Sequence, residues 1–255
     1  MEPQVQKLVD KVWKSYLSTP QDQRLLIGIG GIPGSGTSTQ INPHPLIPII
    51  TNKPPGKTTL AQTITTKLNA LATSSPNASP PAIFVPMDGF HLTRAELSAM
   101  PDPVTAHARR GAPYTFDAQK FHALVQSLRK PISSEQAIYA PSFDHAVKDP
   151  KENDIAVLPT HRIVVIEGNY VALNKEVWRD AALLFDELWF VEVDFEVARK
   201  RLRERHVRAG IAQTIEEGDK RATENDLVNG KEIVDCRLQV QELITSREDG
   251  TWVHE

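Results

Sequence analysis

The sequence predicts an α/β protein built on a doubly wound, mostly parallel β-sheet, and three features lead to this prediction. Short runs of Val, Ile and Leu recur along the chain, as in strands that are buried on both faces of a sheet. Segments with apolar residues at helical spacing separate these runs. The first run ends in a glycine-rich turn, where a parallel strand commonly passes into a helix. We therefore expect parallel βαβ units within one domain that spans residues 1–255.

The predicted elements alternate in the order that such a sheet requires. Apolar residues at helical spacing predict an N-terminal helix over residues 1–17, with its periodicity beginning at residue 2. Short apolar runs predict strands at 24–29, 82–87, 162–166 and 187–193. Helical periodicity predicts further helices from Lys57 to about Leu71, at 117–129, near 175–184 and at 195–209. Residues 37–56 fit neither period and lie where a strand-to-helix connection usually has only about two to six residues.

Composition and charge exclude several classes of protein. The chain has 255 residues, 40% of them hydrophobic and 24% charged, which is typical of a soluble globular protein. Its net charge of −3 gives no indication of a nucleic-acid partner, and it has no apolar run long enough for a membrane helix. Cys236 is the single cysteine, so a disulfide framework is excluded. The N-terminus lacks the features of a signal peptide, and we expect a cytoplasmic protein.

Two separated segments together spell a phosphate-binding loop. Residues 31–36 read Gly-Ile-Pro-Gly-Ser-Gly, and residues 57–59 read Lys-Thr-Thr at the start of a helix. Removal of residues 37–56 joins them into G-x-x-x-x-G-K-[ST] between a strand and a helix. In such a loop, backbone N–H groups and the helix N-terminus surround a phosphate, the lysine reaches the β- and γ-phosphates, and the first threonine binds Mg²⁺. The residues expected to bind ATP are therefore Gly31, Gly34, Ser35, Gly36, Lys57, Thr58 and Thr59. A tight turn followed by an ordinary first-turn lysine is the alternative.

The inserted segment, residues 37–56, would disturb this loop if the chain is taken as it stands. It contains five prolines, and the residues directly before Lys57 include Pro54 and Pro55, which have no N–H to offer a phosphate. We therefore expect weakened ATP binding and an exposed, mobile excursion. Either a translated intervening sequence or gene-model error has been carried into the chain, or the chain is a degraded relative that has lost activity. The composition of the segment and its clean excision favour the first origin.

Motifs after the phosphate loop resemble one group of kinases. They read Asp-Gly-Phe-His from Asp88, Arg-Gly-Ala-Pro-Tyr-Thr-Phe-Asp from Arg110, Tyr-Ala-Pro-Ser-Phe-Asp from Tyr139, Glu-Gly-Asn-Tyr from Glu167 and Arg-Leu-Arg-Glu-Arg-His from Arg201. In this order, over roughly residues 24–236, they resemble the uridine kinase, phosphoribulokinase and pantothenate kinase group. They are most similar to its nucleoside/nucleotide-kinase-like branch in bacteria and fungi. The resemblance implies a P-loop fold with a small helical lid over about residues 199–220.

Two carboxylates are expected at the ligand-binding edge of the sheet. Asp88 and Glu167 each follow a buried strand, and open α/β sheets bind ligands at the carboxyl ends of their strands. The resemblance implies that Asp88 is the base that accepts the proton of the substrate hydroxyl, and that Glu167 holds Mg²⁺ with Thr58. A turn or cap residue is the alternative for each.

The resemblance also implies roles for arginines and for an acceptor pocket. Arg201, Arg205 and Arg208 share one helical face, and lid arginines of the group offset charge on the transferred phosphoryl; Arg201 and Arg205 match best. A solvated charged face is the alternative. The expected acceptor-binding residues are His91, Arg110, Tyr114, Phe116, Asp144 and Tyr170, although packing of loops would equally explain each.

The expected reaction is transfer of the γ-phosphoryl group of ATP to a hydroxyl of a small metabolite, with Lys57, Asp88, Arg201 and Arg205 as catalytic residues. ATP and Mg²⁺ are the expected cofactors, and the expected partner is a small-molecule acceptor that is nucleoside-, pantothenate- or sugar-like. Two other functions stay open. One is NTP hydrolysis without an acceptor, and the other is a non-catalytic binding or regulatory role.

Overall fold

The computed structural model describes residues 2–36, 56–72, 79–133, 136–246 and 252–254. The predicted mobile excursion at 37–56 lies outside the described residues, except for Gly56. Its exposure and mobility therefore stay predictions. In the described part of the chain, no helix is both long and apolar enough to cross a membrane.

Six strands of the described residues form one sheet: β1 (Leu25–Gly31), β2 (Ala82–Pro86), β5 (Ile163–Glu167), β6 (Glu187–Glu192), β7 (Glu242–Ser246) and β8 (Trp252–His254). Their order in the sheet is β2-β5-β1-β6-β7-β8. The first five strands in this order run parallel to one another, and β8 pairs antiparallel with β7 at the edge. Since β1 lies between strands reached by crossovers in both directions, its carboxyl end marks the crevice where such sheets bind ligands.

Helices cover both faces of this sheet, which confirms the predicted doubly wound α/β class. One face packs against α1 (Glu2–Ser18) and α2 (Lys57–Ala72) through a core that includes Val9, Leu60 and Ile64. The other face packs against α5 (Ala118–Arg129), α6 (Trp178–Ala182), α7 (Phe195–Arg208) and α9 (Leu227–Asp235). The long apolar runs of β1 and β5 follow from this burial on two sides, since every residue of both strands is buried.

The structure contains several elements that the sequence analysis did not predict. The chain forms an antiparallel hairpin from β3 (Ile138–Asp144) and β4 (Asp149–Val157). The short helices α3 (Arg94–Ser98) and α4 (Pro103–Ala108) precede it along the chain. After α7 come α8 (Ile215–Arg221) and a π-helical turn, Ala222–Asp226, which leads into α9. The helix predicted near 175–184 was too long, because it begins only after Val177, whose φ of 69° is incompatible with a helix.

Candidate active site

The phosphate loop is assembled from its two separated halves. A β-carbon added to Gly56 would lie 2.4 Å from Cα of Gly36, so the two glycines are in direct backbone contact. The carbonyl of Gly56 accepts a hydrogen bond from the amide of Leu60 at 2.8 Å, so Gly56 leads directly into α2. The turn of residues 31–36 therefore lies against the N-terminus of α2, as a phosphate loop requires.

The position of residues 31–36 bears on the disturbance that the sequence predicts for this loop. We expected the residues just before Lys57, which include Pro54 and Pro55, to offer fewer N–H groups to a phosphate. The glycine turn that lies against α2 is formed by residues 31–36, where Gly34 has a left-handed φ of 78°. Pro54 and Pro55 lie outside the described residues.

Lys57 extends back over the glycine turn. Its Nζ donates to the carbonyl of Ile32 at 3.0 Å and to Oγ of Ser35 at 3.3 Å. Burial lowers the pKa of Lys57, and nearby Arg205 lowers it further, while Glu167 and Asp88 oppose the shift. The side chain is held in the crevice and is surrounded by the groups expected to act on a triphosphate.

Thr58 and Glu167 form an oxygen-rich pair beside this lysine. The hydroxyl of Thr58 donates to Oε2 of Glu167 at 3.0 Å, across from the end of β5. Burial raises the pKa of Glu167 to about 7; Asp88 adds to the shift, whereas Lys57 and the hydrogen bond from Thr58 oppose it. Two adjacent oxygen ligands of this kind suit Mg²⁺.

Asp88 lies in a short 3₁₀ turn, Met87–Phe90, that directly follows β2. Its carboxylate is near enough to Lys57, Glu167 and His91 to influence the pKa of each. The backbone carbonyl of Asp88 lies 2.8 Å from Nδ1 of His91. Because a carbonyl can only accept, Nδ1 carries the proton, and in the neutral ring Nε2 is then a hydrogen-bond acceptor.

Aromatic rings and a cation surround His91 beside Asp88. Its ring lies 3.9 Å from that of Phe116 and 5.0 Å from that of Phe143, between centroids. Burial lowers the pKa of His91, and Arg110 and His145 lower it further, whereas Asp88 opposes the shift. The neutral imidazole is therefore favoured in the folded chain.

The other expected acceptor residues support the segments around His91 or lie apart from it. Arg110 donates to the carbonyls of Lys148 and Leu92 and pairs with Asp149 at 3.2 Å, which fixes the turn of the β3–β4 hairpin. The carboxylate of Asp144 accepts the amides of residues 146 and 147 in the same turn, and these bonds lower its pKa. Tyr170 is fully buried and donates to the carbonyl of Gly111. Tyr114 is half exposed.

Arg201 and Arg205, which were expected to act from a lid, both lie on α7 and have different surroundings. Arg201 is buried and donates to the carbonyl of Ser35 at 3.2 Å and to Oγ of Ser246 at 3.0 Å. It therefore lies behind the phosphate loop and braces it. Arg205 is partly exposed and lies close enough to Lys57 to lower its pKa. Arg208 is exposed at the end of the helix.

Known proteins resemble this chain along most of its length. No family model matches it. The ATP-dependent kinase-like protein notR' of Aspergillus versicolor is 48% identical over 167 residues, which are 65% of this chain and 95% of that protein. A Schizosaccharomyces pombe protein provisionally named uridine kinase C227.14 is 40% identical over 207 residues, 81% of this chain and 77% of its own.

The chain belongs to this family of P-loop kinases. A solved structure from Silicibacter sp. TM1040, provisionally described as a fructose transport system kinase, superposes with a TM-score of 0.73. The two chains are 29% identical, and the match covers 95% of this one and 98% of the other. The resemblance to the P-loop kinase group that the motifs indicated is confirmed.

Sequence reasoning missed several groups that surround the site. Gly56 was counted with the inserted segment, although the same loop sequence results if residues 36–55 are removed instead. Phe143 and Asp149 were not singled out, because only the hairpin brings them to His91 and Arg110. Ser246 supports Arg201 from a strand near the end of the chain, and no local motif marks it.

Proposed function

We propose that this P-loop kinase transfers the γ-phosphoryl group of ATP to a hydroxyl of a small metabolite. The observation that carries the proposal is the position of Lys57. Its ammonium group lies on the glycine turn and within electrostatic reach of Asp88, Glu167 and Arg205. A triphosphate on the turn would thus meet a lysine, a metal-binding pair and a base in one crevice.

In the proposed reaction, the acceptor hydroxyl oxygen attacks the γ-phosphorus. Its proton passes to the carboxylate of Asp88 as the bond to the β,γ-bridging oxygen breaks, and ADP leaves with that oxygen. Lys57 and Arg205 offset the negative charge that spreads over the transferred group. Asp88 returns its proton to solvent when the product leaves. Most of the acceleration in such a site comes from positioning and charge neutralisation.

The side-chain oxygens of Thr58 and Glu167, beside the phosphate loop, suit Mg²⁺. Thr58 and Glu167 would hold it, because their oxygens already lie 3.0 Å apart beside the lysine. The bound ion would neutralise phosphate charge and orient the triphosphate. The chain itself supplies the loop that grips the phosphates and the base that receives the proton.

The acceptor pocket supports a substrate with more than one hydrogen-bond donor. Asp88 would accept from the hydroxyl that reacts, and neutral His91 would accept from a second hydroxyl or N–H group through Nε2. The rings of Phe116 and Phe143 flank that imidazole. Nucleosides, pantothenate-like alcohols and sugars all carry such donors.

The proposal is tested by following ADP release from Mg-ATP with a panel of nucleosides, pantothenate, sugars and sugar alcohols. We expect one class of acceptor to accelerate ADP release and to become phosphorylated in equal amount. The Lys57→Ala variant is the control and should lose the activity. ADP release at one rate with every acceptor would favour NTP hydrolysis, and a flat nucleotide titration would favour a non-catalytic binding protein.

A further inference from the structure

Residues 109–111 connect the segment that follows His91 with the π-helical turn and α9. The side chain of Arg110 points toward the pocket wall, where it fixes the hairpin turn and the segment that follows His91. The neighbouring side chain, Arg109, reaches in another direction. Its guanidinium donates to the carbonyl of Glu224 at 3.0 Å and to Oδ1 of Asn229 at 2.6 Å.

A second set of bonds reinforces this connection from the opposite side. Asn225 is buried, and its Nδ2 donates to the backbone carbonyl of Arg110 at 3.2 Å. Asn229, which receives the bond from Arg109, is only 1% exposed. The two segments are thus joined by donors from each side, and charge-assisted bonds from arginine are among the stronger ones in proteins.

Two of the three bonds that join residues 109–110 to this helical segment are made in the π-helical turn. Glu224 and Asn225 both lie in Ala222–Asp226, between α8 and α9. Turns of this kind are rare and frequently occur at functional sites. Asp226 in the same turn pairs with Nε2 of His206 at 2.8 Å, and His206 directly follows Arg205 on α7. Contacts therefore run from α7, whose Arg201 reaches the phosphate loop and whose His206 reaches the π turn, to Arg109 and Arg110.

We propose that Arg109, Asn225 and Asn229 are positioning residues that couple the lid to the acceptor pocket, so that nucleotide binding orders residues 109–116. The inference rests on the proposed function, because it takes the nucleotide as the ligand that draws Arg205 inward. Coupling between two sites is reciprocal, so an acceptor would likewise favour closure of the lid over the nucleotide. A kinase coupled in this way spends little ATP on water, because closure is favoured when an acceptor is present.

Hydrogen exchange can test the coupling without knowledge of the acceptor. The probe is β,γ-methylene-ATP with Mg²⁺, and the readout is exchange of the backbone amides at 109–116. In the unchanged chain, we expect the probe to slow this exchange by about tenfold. In Asn225→Ala and Arg109→Met, we expect the probe to bind with affinity within about threefold of the parent and to leave exchange at 109–116 unchanged.

The two variants differ in how strongly we expect them to disturb the fold. Oδ1 of Asn225 is buried and has no partner among the described residues, so alanine removes an unpaired atom together with one bond. Arg109→Met instead leaves the oxygen of buried Asn229 unpaired and is the harsher change. Lys220→Met is the matched control, because Lys220 is an exposed cation on the neighbouring helix. It should retain the full effect of the probe.

Three results would overturn the inference. If the probe does not alter amide exchange at 109–116 in the unchanged chain, the two sites are independent. If the probe still slows amide exchange at 109–116 in both Asn225→Ala and Arg109→Met, the coupling runs through other residues. A flat titration of the unchanged chain with the probe would contradict the proposed use of ATP, and it would be seen before any exchange is measured.

Discussion

At the scale of single residues, the position of Asp88 follows from the end of a strand. Its strand, β2, is held against β5 in the sheet, and the 3₁₀ turn that follows places the carboxylate in the crevice beside Lys57. A carboxylate here can receive a proton from a hydroxyl that approaches the end of the triphosphate. Its role would be distinct from that of Glu167, which lies against Thr58.

The Asp88→Asn change tests this division of roles. Asparagine keeps the size of the side chain and cannot act as a base, so we expect turnover to fall by about a thousandfold or more. ATP affinity should change by less than about threefold, because the base acts on the acceptor. Turnover with the best acceptor and calorimetric titration with Mg-ATP measure the two effects. Full activity in Asp88→Asn would exclude Asp88 as the base.

His91 predicts a dependence of stability on pH. Burial lowers its pKa in the folded chain, so as pH falls the unfolded imidazole takes up its proton first, near its ordinary value of about 6.5. The contribution of His91 to stability is therefore fully present above that pH and is lost as pH falls below it. We expect His91→Gln to lose less stability than the parent between about pH 7 and about pH 5.

Denaturant unfolding at each pH measures this difference. His122→Gln is the control for removal of an imidazole, since the rings that contact His91 are those of Phe116 and Phe143 and not that of His122. The loss of pH dependence should be larger in His91→Gln than in His122→Gln. If His91→Gln and the parent lose equal stability on acidification, the imidazole is not held in its neutral form by the fold.

At the scale of elements, α7 presents two arginines to different parts of the site. Arg201 donates to the carbonyl of Ser35, whereas Arg205 lies close enough to Lys57 to lower its pKa. The resemblance to the kinase group implied one catalytic role for both. We infer instead that Arg201 shapes the phosphate loop and that Arg205 offsets charge on the transferred group.

Matched substitutions distinguish these roles. Arg201→Met should weaken Mg-ATP binding by about tenfold or more, because the loop loses the bonds that Arg201 donates to the carbonyls of Gly34 and Ser35. Arg205→Met should lower turnover by more than it lowers ATP affinity, since the arginine acts when the lid closes. Arg208→Met, an exposed change on the same helix, should alter neither. Equal losses of affinity in the first two variants would contradict the distinction.

Which elements could be predicted follows from how local their signals are. The strands β1 and β5 were predictable because burial on both faces requires uninterrupted apolar runs. The β3–β4 hairpin was missed because it lies outside the main sheet and its exposed second strand is rich in charge. The π turn at Ala222–Asp226 was missed because its bonds are made with residues far away in sequence.

The residues of the candidate site also differ in how local their sequence signals are. Lys57, Asp88 and Glu167 were predictable from strand ends and from the two halves of one motif. The supporting groups were not, because Ser246 and Asp149 reach the site only through the tertiary fold. Tyr170 shows the converse, since its motif suggested a ligand contact and the fold encloses it in the core.

At the scale of the whole molecule, the fold tolerates an interruption in its phosphate loop because the two ends of the interruption meet. Gly36 and Gly56 are in contact, while β1 and α2 are each fixed by their own packing. The entropic cost of a loop grows only slowly with its length, so a long connection between adjacent ends need not prevent assembly. Lys57 then reaches the glycine turn as it would in an uninterrupted loop.

Calorimetric titration of Mg-ATP into the full chain and into a chain without residues 36–55 tests this account most directly. The shortened chain carries the uninterrupted loop, and Lys57→Ala in each background serves as the control. If the halves assemble as the contact between Gly36 and Gly56 indicates, the two chains should bind Mg-ATP with affinities within about tenfold of each other, and both should depend on Lys57. Binding by the shortened chain alone, with the full chain weaker by about a hundredfold or more, would contradict an assembled phosphate loop.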